Sequence, residues 1–329
     1  MRKFKNQNIL VSGGAGFIGS HLVKKLINLK ANVSVLVKYN SMIDCPRLIS
    51  VWNKLNIIEA DMRNIDSVSE MKKMNFDLVF HLAAYNHVGD SFKHVLENVN
   101  SNLISTINLL NNGPKIKKFI HMGTSEIYGI QSKIPFNVNE KPNPMSPYAV
   151  TKYASELFSI LKSKSSKLDL LCVRPFNTFG PFQSEKAIIP ELIIKCIQNK
   201  VIKTTGGKQT REFNYVDNIV DGILFLTKKI KNNIGPINIG SNRPIKIKDL
   251  VKKIHNYTNS QSKLLIGSLK YRPNEIWKMQ ANNKFIVSKG WKPKINFDTG
   301  LKLTINWYQK FNDIYLKKNS NFEVLDKQA

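Results

Sequence analysis

The chain has 329 residues, 42% of them hydrophobic, enough to bury a large core as two domains or as one elaborated α/β domain. No apolar run approaches the roughly 20 residues that span a bilayer, and the basic N-terminus reaches glycines too early for a signal-peptide core, so a cytoplasmic protein without a membrane partner is expected. The formal charge of +27 comes from lysines scattered over the whole length, with no stripe interleaved with aromatics; we read it as a compositional bias shared with abundant Asn and Ile, not as a nucleic-acid surface, although a phosphate-bearing substrate would feel the field.

In chain order, strand-like and helix-like stretches alternate. "NILVSG" (8–13) is a short apolar run ending in glycine, and residues 20–30 carry helical spacing at Leu22, Val23, Leu26 and Ile27. Strands are expected at 32–37, 55–61, 76–84, 117–123 and 168–175, with helices at 102–112 and 147–162 between them. This alternation predicts a doubly wound parallel sheet of the α/β class. Beyond Pro175 the reading gives a helix at 188–200, another within 213–229, and a short strand at 236–240. A capped amphipathic helix at 246–258, a loop leading into a helix across 290–311, and a tail complete the chain. Cys45, Cys172 and Cys196 are widely spaced and form no metal-ligand pattern, so no metal site is expected; Cys172, inside "DLLCVRPF", reads as a buried thiol of a reducing compartment.

Three clusters carry chemistry. "GGAGFIGS" places Gly13, Gly16 and Gly19 after a strand and at the opening of a helix, where backbone N–H groups can receive a pyrophosphate; the plain alternative is a glycine-rich turn without a ligand. After the second strand, where an acid normally holds the adenosine ribose, stand Lys38, Tyr39, Asn40 and Ser41. Lys38 is therefore either a receptor for a 2′-phosphate or a solvated lysine. Asp61, followed by Met62, ends the third strand where it can hold the adenine amino group. Thr124, Ser125 and Glu126 stand where the strand at 117–123 ends, either as a polar turn or as reactive groups at the carboxyl edge of the sheet. Tyr148 and Lys152 are four apart and share a helix face, so the ammonium can favour a phenolate that accepts a hydroxyl proton.

Together "GGAGFIGS", "HLAA", "TSEIYG", "YAVTK", "RPFNTFGP", "TREFNYVDNIVDGI" and "GWKPKINFDTGL" resemble, in order and over roughly residues 6–312, the extended short-chain dehydrogenase/reductases that act on nucleotide sugars. The resemblance implies a Rossmann-type sheet with a smaller, interwoven α/β C-terminal substrate lobe. Residues 1–173 plus about 210–240 would bind the dinucleotide, about 174–209 plus 241–315 the nucleotide sugar, and 316–329 would be a tail. It implies bound NAD, with NADP as the alternative, held by Gly13, Gly16, Phe17, Ile18, Gly19, Lys38, Asn40, Asp61, Met62, Leu82, Ala83, Ala84, Tyr148 and Lys152. NAD is favoured because no arginine cluster accompanies Lys38.

The Thr-Ser-Glu triplet and "YNS" (39–41) are most similar to nucleotide-sugar 4,6-dehydratases of the GDP-mannose type and of the legionaminic-pathway N-acetylglucosamine-nucleotide type. By that likeness Thr124, Ser125, Glu126, Tyr148 and Lys152 are catalytic, and His87, Thr124, Asn177, Arg211 and Arg272 bind substrate. The plain alternative for each arginine is a surface ion pair. The family's 4-epimerases and UDP-glucuronate decarboxylases are alternatives; a non-catalytic cofactor sensor would have lost Tyr148, Lys152 or Glu126, and all three stand. The chain departs from the pattern at Phe182, where an arginine is common, and at Ser125, which replaces an aspartate. A homodimer is implied through the helices at 98–112 and 147–162, using apolar surface among Leu103, Leu109, Leu110, Ala154, Leu157 and Phe158, some of which must face the sheet.

Overall fold

The computed structural model describes residues 4–231, 235–271 and 275–316, with side chains described to residue 311. Seven strands form one wholly parallel sheet: β1 (Asn8–Ser12), β2 (Asn32–Val37), β3 (Asn56–Glu59), β4 (Asn75–His81), β5 (Lys115–Met122), β6 (Asp169–Pro175) and β7 (Ile237–Ile239), in the order β7-β6-β5-β4-β1-β2-β3. Parallel strands covered on both faces need near-continuous apolar runs, and β1, β2 and β6 supply them, buried along almost their whole length. The order reverses at β1, which pairs with both β2 and β4. The crevice at that reversal is where ligands of open α/β sheets bind.

Helices α1 (Phe17–Asn28), α2 (Ser105–Asn112), α3 (Pro147–Ser166), α4 (Ile188–Ile197), α5 (Val216–Lys229), α6 (Ile247–Tyr257) and α7 (Phe297–Leu316) lie where the sequence pattern expects helix. Val95–Asn98 and the π-helical Val99–Ile104 lead straight into α2. α3 starts where it does because Ser146 accepts the Ala149 N–H at 3.1 Å and Pro147 sits at the first helical position. α6 differs from expectation: no side chain caps it. Its first amides, of Ile247 and Lys248, donate instead to the carbonyls of Gln209 and Gly207.

Short strands in the second half escaped the sequence reading. Thr210–Glu212 pairs antiparallel with Pro244–Lys246 and parallel with Lys278–Met279, while Ile202–Thr204 pairs with Leu264–Ile266. Segments of two or three residues are too short to show a period of two. Leu109 and Leu110, offered above as dimer surface, are buried in a core cluster to which Phe158 also packs. The exposed large apolar side chains along these helices and the turn Val95–Asn98 are Val95, Leu96, Val150, Leu157 and Leu161.

A buried polar network ties the sheet's carboxyl edge to α3. Arg174, on β6, donates from Nε and Nη2 to the Glu156 carboxylate at 3.0 and 2.5 Å, and from Nη1 to the Tyr128 hydroxyl at 3.0 Å. Tyr128 donates onward to Asn238 Oδ1, on β7, at 2.6 Å. Removing one member of a buried pair strands the other charge, which costs about 3–5 kcal/mol. Arg174→Met is therefore expected to lower the urea midpoint sharply, and Arg174→Met with Glu156→Met to recover part of the loss. An unchanged midpoint in the single variant would mean the pair does not hold this edge.

Candidate active site

β1 runs into Gly13, whose φ of 71° and lack of room exclude a side chain: a Cβ there would stand 2.6 Å from the Ala83 nitrogen. A Cβ at Gly19 would collide with the Gly13 carbonyl, so the turn and the start of α1 pack backbone to backbone. No side chain caps the amides at the start of α1. Gly13, Gly16, Phe17, Ile18 and Gly19 line a cavity of about 570 Å³, and Leu82, Ala83 and Ala84 line its wall beyond β4. These features fit a dinucleotide pyrophosphate at a helix N-terminus.

Thr124, Ser125, Glu126, Tyr148, Lys152 and Asn177 line the same cavity. After β5, Thr124 Oγ1 accepts the Glu126 N–H at 3.2 Å and so caps the helical turn Ser125–Tyr128. From this turn Thr124 hydrogen-bonds Tyr148 on α3 and the Glu126 carboxylate acts on it electrostatically. Burial pushes the Tyr148 phenol up to about 12; the Thr124 side chain opposes that rise and the Glu126 carboxylate adds to it. Burial also pulls the Lys152 ammonium down to about 8, against the pull of Glu156 one turn along. Desolvation dominates both groups.

A second cavity, of about 450 Å³, shares Gly13, Ala83 and Ala84 with the first. Lys38, Asp61 and Met62 line it, whereas Asn40 does not; its N–H donates to Glu59 at 3.3 Å. Asp61 is already engaged by the Arg63 guanidinium at 2.6–3.1 Å, and Lys38 stands 3.9 Å from the same carboxylate. The adenine contact expected of Asp61 therefore competes with an arginine. Arg63 also reaches Glu97 at 2.9 Å and is a single arginine beside Lys38, not a cluster. Asp44 and Glu97, which also line this cavity, were missed. Only Arg63, two residues after Asp61, lay close to a recognised motif.

Three expected substrate contacts are corrected or fall outside the description. His87 does not line the cavity, though Asn86 and Val88 do; its Nδ1 accepts the Asp90 N–H at 3.0 Å, and Asp90 also meets Lys186 at 3.1 Å. Arg211 is drawn away by Glu275 at 2.6 Å and by two carbonyls, the plain ion pair weighed above. Arg272 lies outside the described residues. Phe182 turns from the cavity to pack on Trp307 at 4.8 Å, so the contact of an arginine at that position is missing. Met279, unforeseen, bridges the site: Ser125 Oγ and Asn177 Nδ2 donate to its sulfur at 3.8 and 3.7 Å.

Residues 9–240 match the family described as "NAD dependent epimerase/dehydratase family". The chain is 31% identical to dTDP-D-glucose 4,6-dehydratase of Dictyostelium discoideum, over 95% of this chain and 84% of that one. It is 30% identical to a putative UDP-glucose 4-epimerase of Methanocaldococcus jannaschii, over 92% and 99%. Among solved structures it resembles the UDP-N-acetylglucosamine 4-epimerase of Methanobrevibacter ruminantium M1, with a TM-score of 0.82 and 29% identity over 93% and 99% of the two chains. Among the described residues no helix is long and apolar enough to cross a membrane.

The depressed Lys152 makes its charge a burden on the folded state. Below pH about 8 the ammonium is charged both folded and unfolded and its burial cost is complete; as pH rises from there toward the ordinary 10.5 the cost disappears. Lys152→Met is therefore expected to raise unfolding stability at pH 7, by up to about 3 kcal/mol, with the advantage fading toward pH 10. Denaturation curves at several pH values test this; a variant less stable at pH 7 would refute it.

Proposed function

The chain belongs to the NAD dependent epimerase/dehydratase family, with the extended short-chain dehydrogenase/reductase fold, and from that premise we propose that it is a nucleotide-sugar 4,6-dehydratase. Its substrate is a nucleoside-diphosphate hexose and its product the 4-keto-6-deoxy sugar. The observation carrying this reading is Glu126. Among the described residues lining the cavity it is the sole carboxylate, Lys152 is the sole cation, and Glu126 acts electrostatically on Tyr148. A 4-epimerase has no use for a base at C5. Against a decarboxylase stands "YAVTK" (148–152), since the Tyr/Lys motif of UDP-glucuronate decarboxylases usually reads Tyr-Asp-Glu-Gly-Lys.

NAD, which the Gly13–Gly19 turn and Lys152 would hold, would supply a hydride acceptor for C4, a hydride donor for C6 and a positive charge beside Tyr148; the other steps fall to side chains. Tyr148 accepts the 4-hydroxyl proton while Thr124 hydrogen-bonds that oxygen. The resulting ketone acidifies C5–H, and Glu126 takes this proton. The C6–O bond then breaks, and hydroxide departs as water with a proton from Glu126. C5 then takes a proton delivered from solvent, and the proton held on Tyr148 is released to solvent, which restores the phenolate. Lys152 orients the nicotinamide ribose, and Asn177 meets the diphosphate. The 4-epimerase reading stays second, favoured by the likeness to two epimerases.

Reaction in D₂O is expected to give a 4-keto-6-deoxy product carrying deuterium at C5, and deuterium placed at C4 should reappear at C6. Glu126→Gln should block elimination while C4 oxidation still gives transient reduced-nicotinamide absorbance. A product that keeps its 6-hydroxyl and its C4 label would sink the dehydratase reading.

The proposed dimer is a second copy docked on the exposed face that includes Leu157 and Leu161. Light scattering should give twice the 37.5 kDa of one chain. Leu157→Glu with Leu161→Glu should halve that mass; a monomeric wild type at micromolar concentration would reject the dimer.

A further inference from the structure

An end-of-strand acid after β2 is the usual receptor for the adenosine ribose of NAD, and a basic group nearby the usual receptor for the 2′-phosphate of NADP. This chain has Lys38 at that position, either a receptor for a 2′-phosphate or a solvated lysine. The second cavity argues against the receptor. It is lined by two cations, Lys38 and Arg63, and by three carboxylates, Asp44, Asp61 and Glu97. Arg63 spends its guanidinium on Asp61 and Glu97 together. Lys38 has Asp61 as its nearest carboxylate and lies over the Tyr39 ring at 5.2 Å. Neither cation stands alone to receive a dianion, and the carboxylates outnumber them.

From this geometry we infer that Asp44 holds the adenosine ribose in place of the missing end-of-strand acid, and that the Asp61–Arg63–Glu97 cluster turns away a 2′-phosphate. Asp44 is exposed at the cavity wall, and among the described residues no ion pair engages it. A carboxylate accepts from two vicinal hydroxyls at once, a charge-assisted pairing that a neutral acceptor matches less well. A phosphate on the 2′-oxygen removes one donor and sets a second anion against Asp44. The cluster adds to this by keeping Arg63 in a bidentate grip that a phosphate would have to break.

The inference rests on the family's dinucleotide and not on the dehydratase reading, so its test avoids turnover. The full chain, freed of copurified nucleotide, is titrated calorimetrically with ADP-ribose, its 2′-phosphate and its 2′-deoxy form. ADP-ribose should bind at least about tenfold more tightly than the 2′-phosphate, in keeping with hydrogen bonds to a charged group. Asp44→Ala should weaken ADP-ribose about tenfold and weaken the 2′-deoxy form, which keeps only its 3′-hydroxyl, by less. Glu97→Gln, which loosens Arg63, should narrow the preference against the 2′-phosphate. Equal or tighter binding of the 2′-phosphate, abolished by Lys38→Ala, would assign Lys38 as a phosphate receptor and overturn the inference. So would an Asp44→Ala variant that binds ADP-ribose like wild type. If none of the three ligands binds, the dinucleotide reading falls and the inference with it.

Discussion

The buried pairing of Arg174 with Glu156 is the interaction on which the arrangement of the site depends. It joins β6 to α3 one helical turn from Lys152, and through Tyr128 and Asn238 it reaches the turn that carries Thr124 and Glu126 and the edge strand β7. Gly123 shows how tightly this is built, since a Cβ there would stand 2.9 Å from a Glu156 oxygen. Each segment bearing a proposed catalytic group is therefore fastened to a charge pair that cannot relax without exposing an ion to the core. A buried pair is a poor source of net stability compared with apolar packing, but it is directional. Here direction is what the site needs.

Desolvation acts on four buried groups around α3 in the same sense, against the charged form. It pushes the Tyr148 phenol up, pulls the Lys152 ammonium down, and keeps His81 and His121 neutral, the former depressed to about 3. Neutral histidines matter because both lie close enough to Lys152 to feel its charge. His81 is fixed by Ser12 at 2.7 Å and Thr106 at 2.9 Å, so its polar atoms are satisfied without a proton being added. Among the described residues lining the cavity, Lys152 is thus the one cation.

Much of this was legible in the sequence. The seven main strands show as apolar runs because both faces of a parallel sheet are covered. The Gly13–Gly19 turn and the Tyr148/Lys152 pair show because their spacing is local and dictated by geometry. What stayed hidden depends on distant partners. His87 reads as a site residue until Asp90 turns it, and Arg211 until Glu275 claims it. Asp44 and Glu97 join Lys38 and Arg63 only when loops far apart in sequence close on one cavity. Sequence spacing carries no record of such meetings.

The manner in which α6 begins has a consequence for the chain as a cooperative object. At 11 residues it is shorter than helices that persist alone in water. Its opening amides depend on carbonyls at Gly207 and Gln209, about forty positions earlier in the chain. The strand that follows those carbonyls, Thr210–Glu212, in turn pairs with Pro244–Lys246, the residues leading into α6. Helix and strand are thus written as a single clause, neither grammatical without the other. Arg211 sits in the middle of it, so any breathing of α6 carries that guanidinium and its Glu275 partner along.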